Sequence, residues 1–528
     1  MNAYNGGSMG SRFNQHSFAT IPDVHIGRSK FDRSYTVKDT FAFDYLYPVY
    51  LDEIIPGDTF NVRLNAFARL ATQLVPIMDN LYADYHFFFV PNRLVWTNWE
   101  KFNGAQDNPG DSISFTVPIL TPGTAFAVDS IFDKFGLPTG VANVAVNNTL
   151  PLRAYIKIWN DWYRDENLQN SVTLPTGNGP DVQASFTLLK RGKKKDYLTG
   201  CLPWPQKGST AVTLPLGTRA PVAYGANVAT TLSIVSSAGT SVAMVGSGAN
   251  VVSSTTVTGT PTSPNALYAD LSSATAATIN QLRLAFMTQS LLELDARGGT
   301  RYVEILRAHF GVVSPDFRLQ RAEYLGGGTQ RINSHPVAQT AVTSGSSYQG
   351  QLAAFSTHMV TSNDNIGFSK SFVEHGYVIG LVSFRADITY QQGLNKLWQR
   401  QTRYDFFWPK LQQLGEQAVL NNEIYADGSA NDTLVFGYQE RYGEYKYRQS
   451  EIRGQFRSTY ATPLDMWHMA EKFTTLPTLG STFVQYATPI TRALANSSAA
   501  QILFDGYFHN ICARPMMTHG VPATLGRF

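Results

Sequence analysis

The chain has 528 residues, and a usual domain size of about 150 residues predicts roughly three to four domains, although all-β folds often run longer as one unit. Charged residues make up 15% of the sequence and aromatic residues 12%, whereas ordinary soluble domains carry about 25% charged residues. This composition excludes a disordered chain, which has few aromatic residues and a large net charge. The net charge of +3 argues against a protein dedicated to condensing nucleic acid, because each neutralised phosphate needs roughly one lysine or arginine.

The cysteine content and the apolar runs indicate the compartment. Only Cys201 and Cys512 occur, which excludes a disulfide framework and any four-cysteine metal site. A reducing compartment is the simpler interpretation. The N-terminal sequence has no apolar segment of the signal-peptide kind, and no apolar run approaches the roughly 18 residues needed to span a bilayer. We therefore expect a soluble cytoplasmic product that does not insert into a membrane.

The composition of the first 120 residues changes at about residue 40. Residues 1–40 are rich in Gly, Ser and Asn without a clear period, and we interpret them as an N-terminal arm. Over residues 41–120, short aromatic and β-branched runs are broken by prolines, a pattern typical of short strands joined by turns. The consecutive phenylalanines at 87–89 predict a strand that is covered on both faces.

Three segments have helical periodicity. Residues 151–169 begin with Pro151, a favoured first-turn residue, and place apolar side chains at spacings of three and four. Residues 279–297 follow a candidate N-cap at Thr278, and residues 301–310 stop before Gly311. The second helix is apolar on several sides, with stripes formed by Ile279, Leu282, Leu284, Phe286, Met287, Leu291 and Leu294. We therefore expect the second and third helices to be buried within or between subunits.

The remaining segments indicate more strands. Residues 220–269 contain no Asp, Glu, Lys, Arg or His and consist mainly of Ala, Val, Ser, Thr and Gly. Disordered segments normally carry charge or proline, whereas this density of Val and Thr favours exposed strands and turns. Strand-like runs return at 377–390 and 434–448.

No motif identifies a catalyst. The sequence GGSMG at 6–10 fits the G-x-S-x-G pattern, but no predicted strand precedes Ser8 and no predicted helix follows it. The glycine-rich runs at 246–251 and 326–328 lack a phosphate-loop lysine, and we interpret both as turns. The ten histidines include no H-E-x-x-H motif, and the carboxylate pairs are merely adjacent in sequence. We therefore predict no enzymatic activity and no cofactor, and leave a bound divalent cation open.

Two basic groups are candidate contacts for single-stranded DNA. The first consists of Lys190, Arg191, Lys193, Lys194 and Lys195. Five cations within six positions suffice for phosphate contact, though not for reading a base sequence. A solvated turn or a subunit contact is the alternative.

The second group interleaves cations with aromatic rings, a combination that single strands favour. Its cations are Arg441, Lys446, Arg448, Arg453 and Arg457. If residues 445–448 formed a strand, the rings of Tyr445 and Tyr447 would point away from the cations between them. Packing or a protein interface is therefore the alternative for this group.

Eight runs of the sequence resemble one viral family. They are IPDVHIGRSKFDRSYT (21–36), PGDTF (56–60), NLYADYHFFFVPNRLVWTNWEKF (80–102), LPWPQKG (202–208), QLRLAFMTQSLLELDARGGTRYVEILRAHFGVVSPDFRLQRAEYLGGG (281–328), FGYQERYGEYKYR (436–448), STYATPLDMWHMA (458–470) and CARPM (512–516). With these runs in this order, the chain resembles the major capsid protein of gokushovirus-type microviruses, which are small icosahedral phages with single-stranded DNA.

The resemblance implies a mainly β fold, an eight-stranded antiparallel viral jelly roll with long inserted loops and a few α-helices. It implies self-assembly through pentamers into a T=1 icosahedral shell around a circular single-stranded DNA genome. The implied partners are the DNA, a small basic DNA-binding protein, scaffolding and pilot proteins, and a host-surface receptor. The implied location is the virion, after assembly in the cytoplasm of the host bacterium. On this basis the chain divides into an arm at 1–40, the first part of the jelly roll at 41–208, an insertion at 209–277, and helices with the second part at 278–528.

The insertion at 209–277 contains none of the resembling runs. We predict that it forms an external protrusion around a three-fold axis and takes part in host attachment. An inner-wall loop near phosphates should carry lysine or arginine, and residues 220–269 have neither. The candidate attachment residues are Val222, Tyr224, Val235, Val245, Val252 and Tyr268. A surface loop without a receptor role is the alternative.

A competing hypothesis is a polysaccharide-binding or polysaccharide-cleaving β-protein. Trp96, Trp99 and Trp204 would stack on sugar rings, and carboxylates would serve as acid and base. This hypothesis predicts a monomer with a cleft, whereas a capsid protein forms pentamers or shells.

Overall fold

The computed structural model describes residues 27–121, 123–208, 279–316, 318–335, 355–360, 366–498 and 500–519, together with five short strands between 222 and 269. The described chain is mainly β, with antiparallel sheets and a few helices.

The strands are β1 (Ser29–Asp32), β2 (Tyr35–Phe41), β3 (Tyr47–Ile54), β4 (Thr59–Gln73), β5 (Leu81–Pro91), β6 (Val222–Tyr224), β7 (Ser233–Val235), β8 (Ser241–Ser247), β9 (Asn250–Ser253), β10 (Leu267–Ala269), β11 (Glu323–His335), β12 (Phe355–Val360), β13 (Gly367–Ser371), β14 (Gly376–Ala386), β15 (Glu416–Leu420), β16 (Val435–Glu440) and β17 (Ile502–Arg514). The α-helices are α1 (Trp99–Phe102), α2 (Ile131–Lys134), α3 (Leu150–Ile158), α4 (Ile279–Gly298), α5 (Tyr302–Phe310), α6 (Gly443–Lys446) and α7 (Ser481–Val484).

Two antiparallel sheets pack face to face. One has the order β3, β14, β5, β11. In the other, β1 and β2 pair with one edge of β17, whose other edge pairs with β4, and β12 and β13 follow on β4. Strand β11 joins the sheets, because its last residues pair with β12. Rings from opposite sheets meet between them, with Tyr50 of β3 at 5.2 Å from Phe508 of β17.

The pattern of β4 explains how the sequence forms this core. Alternate residues from Phe60 to Leu70 are buried, and the residues between them are exposed, as expected for a sheet with one wet face. Strand β14 is instead buried along its whole length, because α3 packs on the outer face of its sheet. The phenylalanines at 87–89 in β5 divide between these two hydrophobic clusters, which confirms the prediction of a strand covered on both faces.

Two long insertions carry most of the other elements. Residues 92–322 join β5 to β11 and contain α1 to α5, and residues 387–501 join β14 to β17 and contain β15, β16, α6 and α7. A third hydrophobic cluster holds the insertions together, with Tyr197 and Leu198 from the first and Phe436 and Phe483 from the second. The two insertions therefore pack against each other through this cluster.

The three predicted helices are confirmed, with one different end. Helix α3 is shorter than predicted, because it passes into a π-helical turn at Trp159–Tyr163 and Arg164 is extended. Helices α4 and α5 lie almost where the periodicity places them. Helix α5 ends at Gly311, whose φ of 68° is the left-handed conformation that favours glycine. The candidate N-cap at Thr278 lies outside the described residues.

The glycines at 326–328 form part of β11, so their interpretation as a turn is wrong. A β-carbon on Gly327 would lie 2.1 Å from the carbonyl oxygen of Tyr85, and one on Gly326 would lie 2.5 Å from that of Gly367. These glycines therefore allow the backbones of neighbouring strands to approach closely.

Two further segments differ from their predictions. The predicted strand at 434–448 ends at Glu440, and the helical turn α6 follows Tyr442, whose φ is 62°. The strand alternation considered for residues 445–448 is therefore wrong. Residues 29–32 and 35–40, interpreted as part of the arm at 1–40, pair with β17, so this part of the interpretation is wrong, while residues 1–26 lie outside the described residues. The predicted strand at 377–390 is confirmed as β14, although the strand ends earlier, at Ala386.

Candidate functional site

The first basic run, residues 190–195, lies where both insertions meet the sandwich. The amide of Arg191 donates to the carbonyl of Asp44 at 2.8 Å, and the amide of Lys193 donates to the carbonyl of Val484 at 2.7 Å. These hydrogen bonds fix the backbone of the run, so the fold decides which of its side chains can reach solvent.

Arg191 and Arg385 share one carboxylate, that of Asp84 in β5. The Nε of Arg385 donates to Asp84 at 2.7 Å, Arg191 forms an ion pair with the same group, and the hydroxyl of Thr329 donates to it at 2.5 Å. Burial by itself raises the pKa of Asp84, but the two guanidinium groups overcome it and hold this pKa well below its usual range. Two cations on one anion leave a positive charge at this point.

Lys193 lies inside the fold. Its ammonium is 2.7 Å from Oε2 of Glu471, and its side chain is 1% exposed. The same ammonium lies 4.7 Å from the ring centre of Phe483, a cation–π contact. Burial raises the pKa of Glu471, and the charge of Lys193 opposes that rise. Lys193 therefore has a partner within the subunit, and the prediction of DNA contact depends on its neighbours.

The other lysines of the run are more accessible. Lys190 is half-buried, with its ammonium 5.4 Å from the ring centre of Tyr45. The side chain of Lys195 is 61% exposed and forms an ion pair with Asp165. Lys194 is exposed overall, but part of its side chain lies against the protein. This partial burial, together with the charges of Arg385 and Arg191, lowers its pKa. Contact of this run with DNA stays a prediction, for which Lys194 and Lys195 are the accessible side chains.

A cavity of 1180 Å³ opens beside the run. One wall is aromatic and consists of Phe88, Trp162, Tyr163 and Tyr324. Cations that line it include Arg191, Lys194, Lys195, Arg301 and Arg307. Such a combination of rings and cations suits an anionic ligand with a flat apolar part.

The second basic group is spread over a different surface. Three of its cations form ion pairs there, Lys446 with Glu440 and both Arg448 and Arg453 with Glu451. Arg441 donates to the carbonyl of Tyr404 at 3.4 Å, and Arg457 to that of Gln391 at 2.9 Å. Contact of this group with DNA also stays a prediction.

Exposed rings beside this second group were missed from the sequence. Trp398 is 76% exposed and Tyr404 is 64% exposed. The guanidinium of Arg400 lies 4.1 Å from the ring centre of Tyr445, which brings the 396–410 segment against the second basic group. The signal was present as KLWQRQTRYDFFWPK at 396–410, in which rings and cations alternate as they do at 438–457.

Helices α4 and α5 expose their apolar side chains. In α4 only Ala296 is buried, and in α5 no residue is. The stripe Leu284, Met287, Leu291 and Leu294 is exposed throughout, with Met287 at 70%. The described residues of one subunit therefore do not bury these two helices. Burial between subunits stays a prediction.

The predicted attachment residues lie on five short strands. Val222 and Tyr224 are in β6, Val235 in β7, Val245 in β8, Val252 in β9 and Tyr268 in β10. Strand β10 pairs with β6, with Tyr268 opposite Ala223, and β8 pairs with both β7 and β9, with Val245 opposite Val252. The prediction of strands in this segment is confirmed, while a role in attachment stays a prediction.

Trp96 does not fit the polysaccharide hypothesis. Its side chain is completely buried, and its Nε1 donates to Oδ1 of Asn178 at 2.8 Å. A ring in this position cannot stack on a sugar, so this part of the hypothesis is wrong.

The described residues offer neither a cluster of metal-ligating side chains nor a membrane-spanning helix. Among these residues, no group of three or more His, Cys, Asp or Glu side chains is arranged to hold a metal ion. No helix in the same part of the chain is both long enough and apolar enough to cross a bilayer.

Comparison with known proteins decides the family. Residues 19–524 match the family model described as capsid protein (F protein). The chain belongs to this phage capsid protein family. The match covers both sheets and both insertions, so the exposed helices and the cavity belong to a capsid subunit.

Individual relatives agree. The chain is 55% identical to capsid protein VP1 of Bdellovibrio phage phiMH2K, over 98% of this chain and all of the relative. It is 40% identical to capsid protein VP1 of Chlamydia phage 1 and 35% identical to that of Spiroplasma virus 4, each over 96% of this chain and 97% of the relative. The resemblance to gokushovirus-type microviruses is confirmed, and the chain is a phage structural protein.

Proposed function

We propose that this capsid protein is the major subunit of a T=1 icosahedral shell that encloses a circular single-stranded DNA genome. The subunit assembles through pentamers in the cytoplasm of the host bacterium and then forms part of the virion. We also propose that the subunit has no enzymatic activity. In support, the relatives that cover almost the whole chain are named capsid proteins.

The strand order supports an eight-stranded jelly roll. In one sheet the principal strands follow the order β2, β17, β4, β13, and in the other β3, β14, β5, β11. Two packed sheets of four strands, with early strands beside late ones, are the arrangement that a jelly roll of two Greek keys requires. The two insertions then correspond to long loops of this fold.

Assembly is supported most directly by the exposed face of α4. Because Leu284, Met287, Leu291 and Leu294 are all exposed, an isolated subunit leaves an apolar stripe in water. Contiguous apolar surface of this kind marks a protein–protein contact, and neighbouring copies are the partners that a shell supplies.

Sedimentation of the expressed chain and of two variants tests this proposal. Leu291→Asp places a charge on the apolar stripe and should prevent shells while leaving a soluble subunit, because the side chain is not part of the subunit core. Thr288→Asp is the matched control, with the same added charge on the same helix, and should still assemble. Shells of normal stability from Leu291→Asp would contradict the role of the stripe.

We expect some cations of the two basic groups to contact the DNA at the inner wall of the shell. Lys194 and Lys195 are the accessible cations of the first group, and the second group lies beside the exposed rings of Trp398 and Tyr404. A net charge of +3 cannot neutralise a genome, which supports a separate small basic protein as a partner. Scaffolding and pilot proteins complete the proposed set.

Host attachment is proposed for residues 209–277. The segment lies between two described parts of the first insertion, so its sequence and length can vary without altering the order of the strands in the sheets. Its lack of charge over 220–269 supports an external position, away from the phosphates. The proposed location is a three-fold axis, and the proposed partner is a host-surface receptor.

A further inference from the structure

The cavity beside residues 190–195 has a fixed aromatic wall. The ring of Tyr324 lies 5.5 Å from that of Phe88 and 5.9 Å from that of Trp162. Trp162 is held in place, because its Nε1 donates to the carbonyl of Ala322 at 2.9 Å and Arg321 lies 4.2 Å from its ring centre. Tyr324 is 41% exposed, so part of its ring is free to meet a ligand.

The charges around the cavity do not balance. The lining side chains, their ion-pair partners and Arg385, which shares Asp84 with Arg191, together comprise nine cations and seven carboxylates, a surplus of two positive charges. Asp165 is paired with Lys195, and Glu166 with Arg301. The surplus arises at Asp84, which two arginines share, and at side chains such as Lys194 and Arg307, for which the described residues provide no carboxylate partner.

Two further observations favour an anionic ligand at this cavity. Arg164 lines the cavity, and its buried Nε has no hydrogen-bond partner among the described residues, although buried donors are usually paired. The pKa of Lys194 is lowered by burial and by the charges of Arg385 and Arg191, so an anion at this point would relieve a repulsion between like charges.

The shape and the wall limit the class of anion. A volume of 1180 Å³ far exceeds the needs of a free phosphate and lies just above the usual range for ligand sites, about 300–1,000 Å³. His86, on the same side as the rings, has its pKa lowered to about 4 by burial and by nearby arginines and is neutral at neutral pH. The flat ring of a ligand can therefore lie against these uncharged aromatic groups, while a phosphate on the same ligand meets the cations.

We infer that this cavity takes one nucleotide of single-stranded DNA, with its base against Tyr324 and its phosphate near Lys194 and Arg307. The inference rests on the proposed function and names the part of the subunit that would hold the genome. Stacking on a protein ring is tolerant of base identity, so the same cavity in every subunit can accept whichever base the genome presents.

Binding of fluorescent oligothymidylate to the full-length chain tests the inference. Tyr324→Leu should weaken binding by roughly 5- to 160-fold, the equivalent of about 1–3 kcal/mol per stacked base, whereas Tyr324→Phe keeps the ring and should bind normally. Lys194→Gln should weaken binding and lower the slope of log affinity against log salt by about 1. Lys30→Gln is the matched control, because Lys30 is exposed in β1 on the other sheet and should leave binding unchanged.

Three probes separate the sources of the phosphate. Oligothymidylate should bind more tightly than an abasic strand of equal length, and inorganic phosphate should compete only weakly. Equal binding of the two strands, strong competition by phosphate alone, or preference for an acidic peptide would overturn the assignment. Unchanged binding by both Tyr324→Leu and Lys194→Gln would overturn it as well. If these variants assemble normally but bind as the wild type does, only the cavity assignment fails, whereas failure of the wild-type chain to assemble contradicts the proposed function itself.

Discussion

Substitution of Lys193 by methionine should destabilise the subunit far more than the same change at Lys195. Lys193 is 1% exposed and 2.7 Å from Glu471, itself mostly buried. Removing one partner of a buried pair leaves an uncompensated charge and costs about 3–5 kcal/mol. Lys195 is 61% exposed, and its buried partner Asp165 keeps hydrogen bonds from the amides of Asn167 and Leu168 when the lysine is removed, so its substitution should cost less. Urea titration of the unassembled subunit gives the free energy of unfolding for both variants.

The pH dependence gives a second test of the same pair. Burial raises the pKa of Glu471 above its unfolded value, and Lys193 opposes this rise. In Lys193→Met the opposition is lost, so the folded subunit binds a proton more tightly than the unfolded chain does. Stability of the variant relative to the wild type should therefore be greatest below the unfolded pKa of about 4.3 and fall as pH rises through the folded pKa, by up to about 1.4 kcal/mol per pH unit.

Two outcomes would refute this reasoning. One is a decrease in the free energy of unfolding for Lys193→Met that is no larger than the decrease for Lys195→Met. The other is a difference from the wild type that does not change with pH. The double variant Lys193→Met with Glu471→Leu is the control, because replacing both partners by apolar groups removes the buried charge and should recover most of the lost stability.

Three other predictions concern the 220–269 segment, Lys194 and the two cysteines. Deleting 220–269 and closing the gap with a short Gly-Ser linker should leave shells that assemble but fail to adsorb to host cells, and normal adsorption in a binding assay would exclude an attachment role. In genome-filled particles, Lys194→Gln should lower DNA retention more as salt rises, because phosphate contacts are salt dependent, while retention equal to the wild type at every salt concentration would place this lysine away from DNA. Cys201 and Cys512 are buried and should react with a thiol reagent only on unfolding, so rapid labelling of native subunits would contradict their burial.

The parts of the fold that could be predicted from sequence are those with a local signal. Alternation in β4, the continuous apolar run of β5 and the periodicity of α4 each follow from spacing that one element imposes on its own residues. The glycines at 326–328 were misinterpreted because their reason is not local. They lie where β11 passes close to neighbouring strands, and only the pairing of distant segments reveals that contact.

The candidate site was predictable in composition but not in geometry. The run 190–195 is visible as a cluster of cations, yet the burial of Lys193 depends on Glu471, which lies far away in the sequence. The aromatic wall of the cavity likewise combines Phe88, Trp162 and Tyr324 from three separate segments. Membership of the capsid family explains why the apolar stripe of α4 can be exposed in a subunit, since its partners are proposed to be other copies.

Electron microscopy of particles purified from the expressed full-length chain tests the central claim most directly. We expect icosahedral T=1 shells in which α4 lies in a contact between neighbouring subunits, with its apolar stripe covered. A chain that remains monomeric under all assembly conditions, or a shell in which α4 faces solvent, would contradict the account.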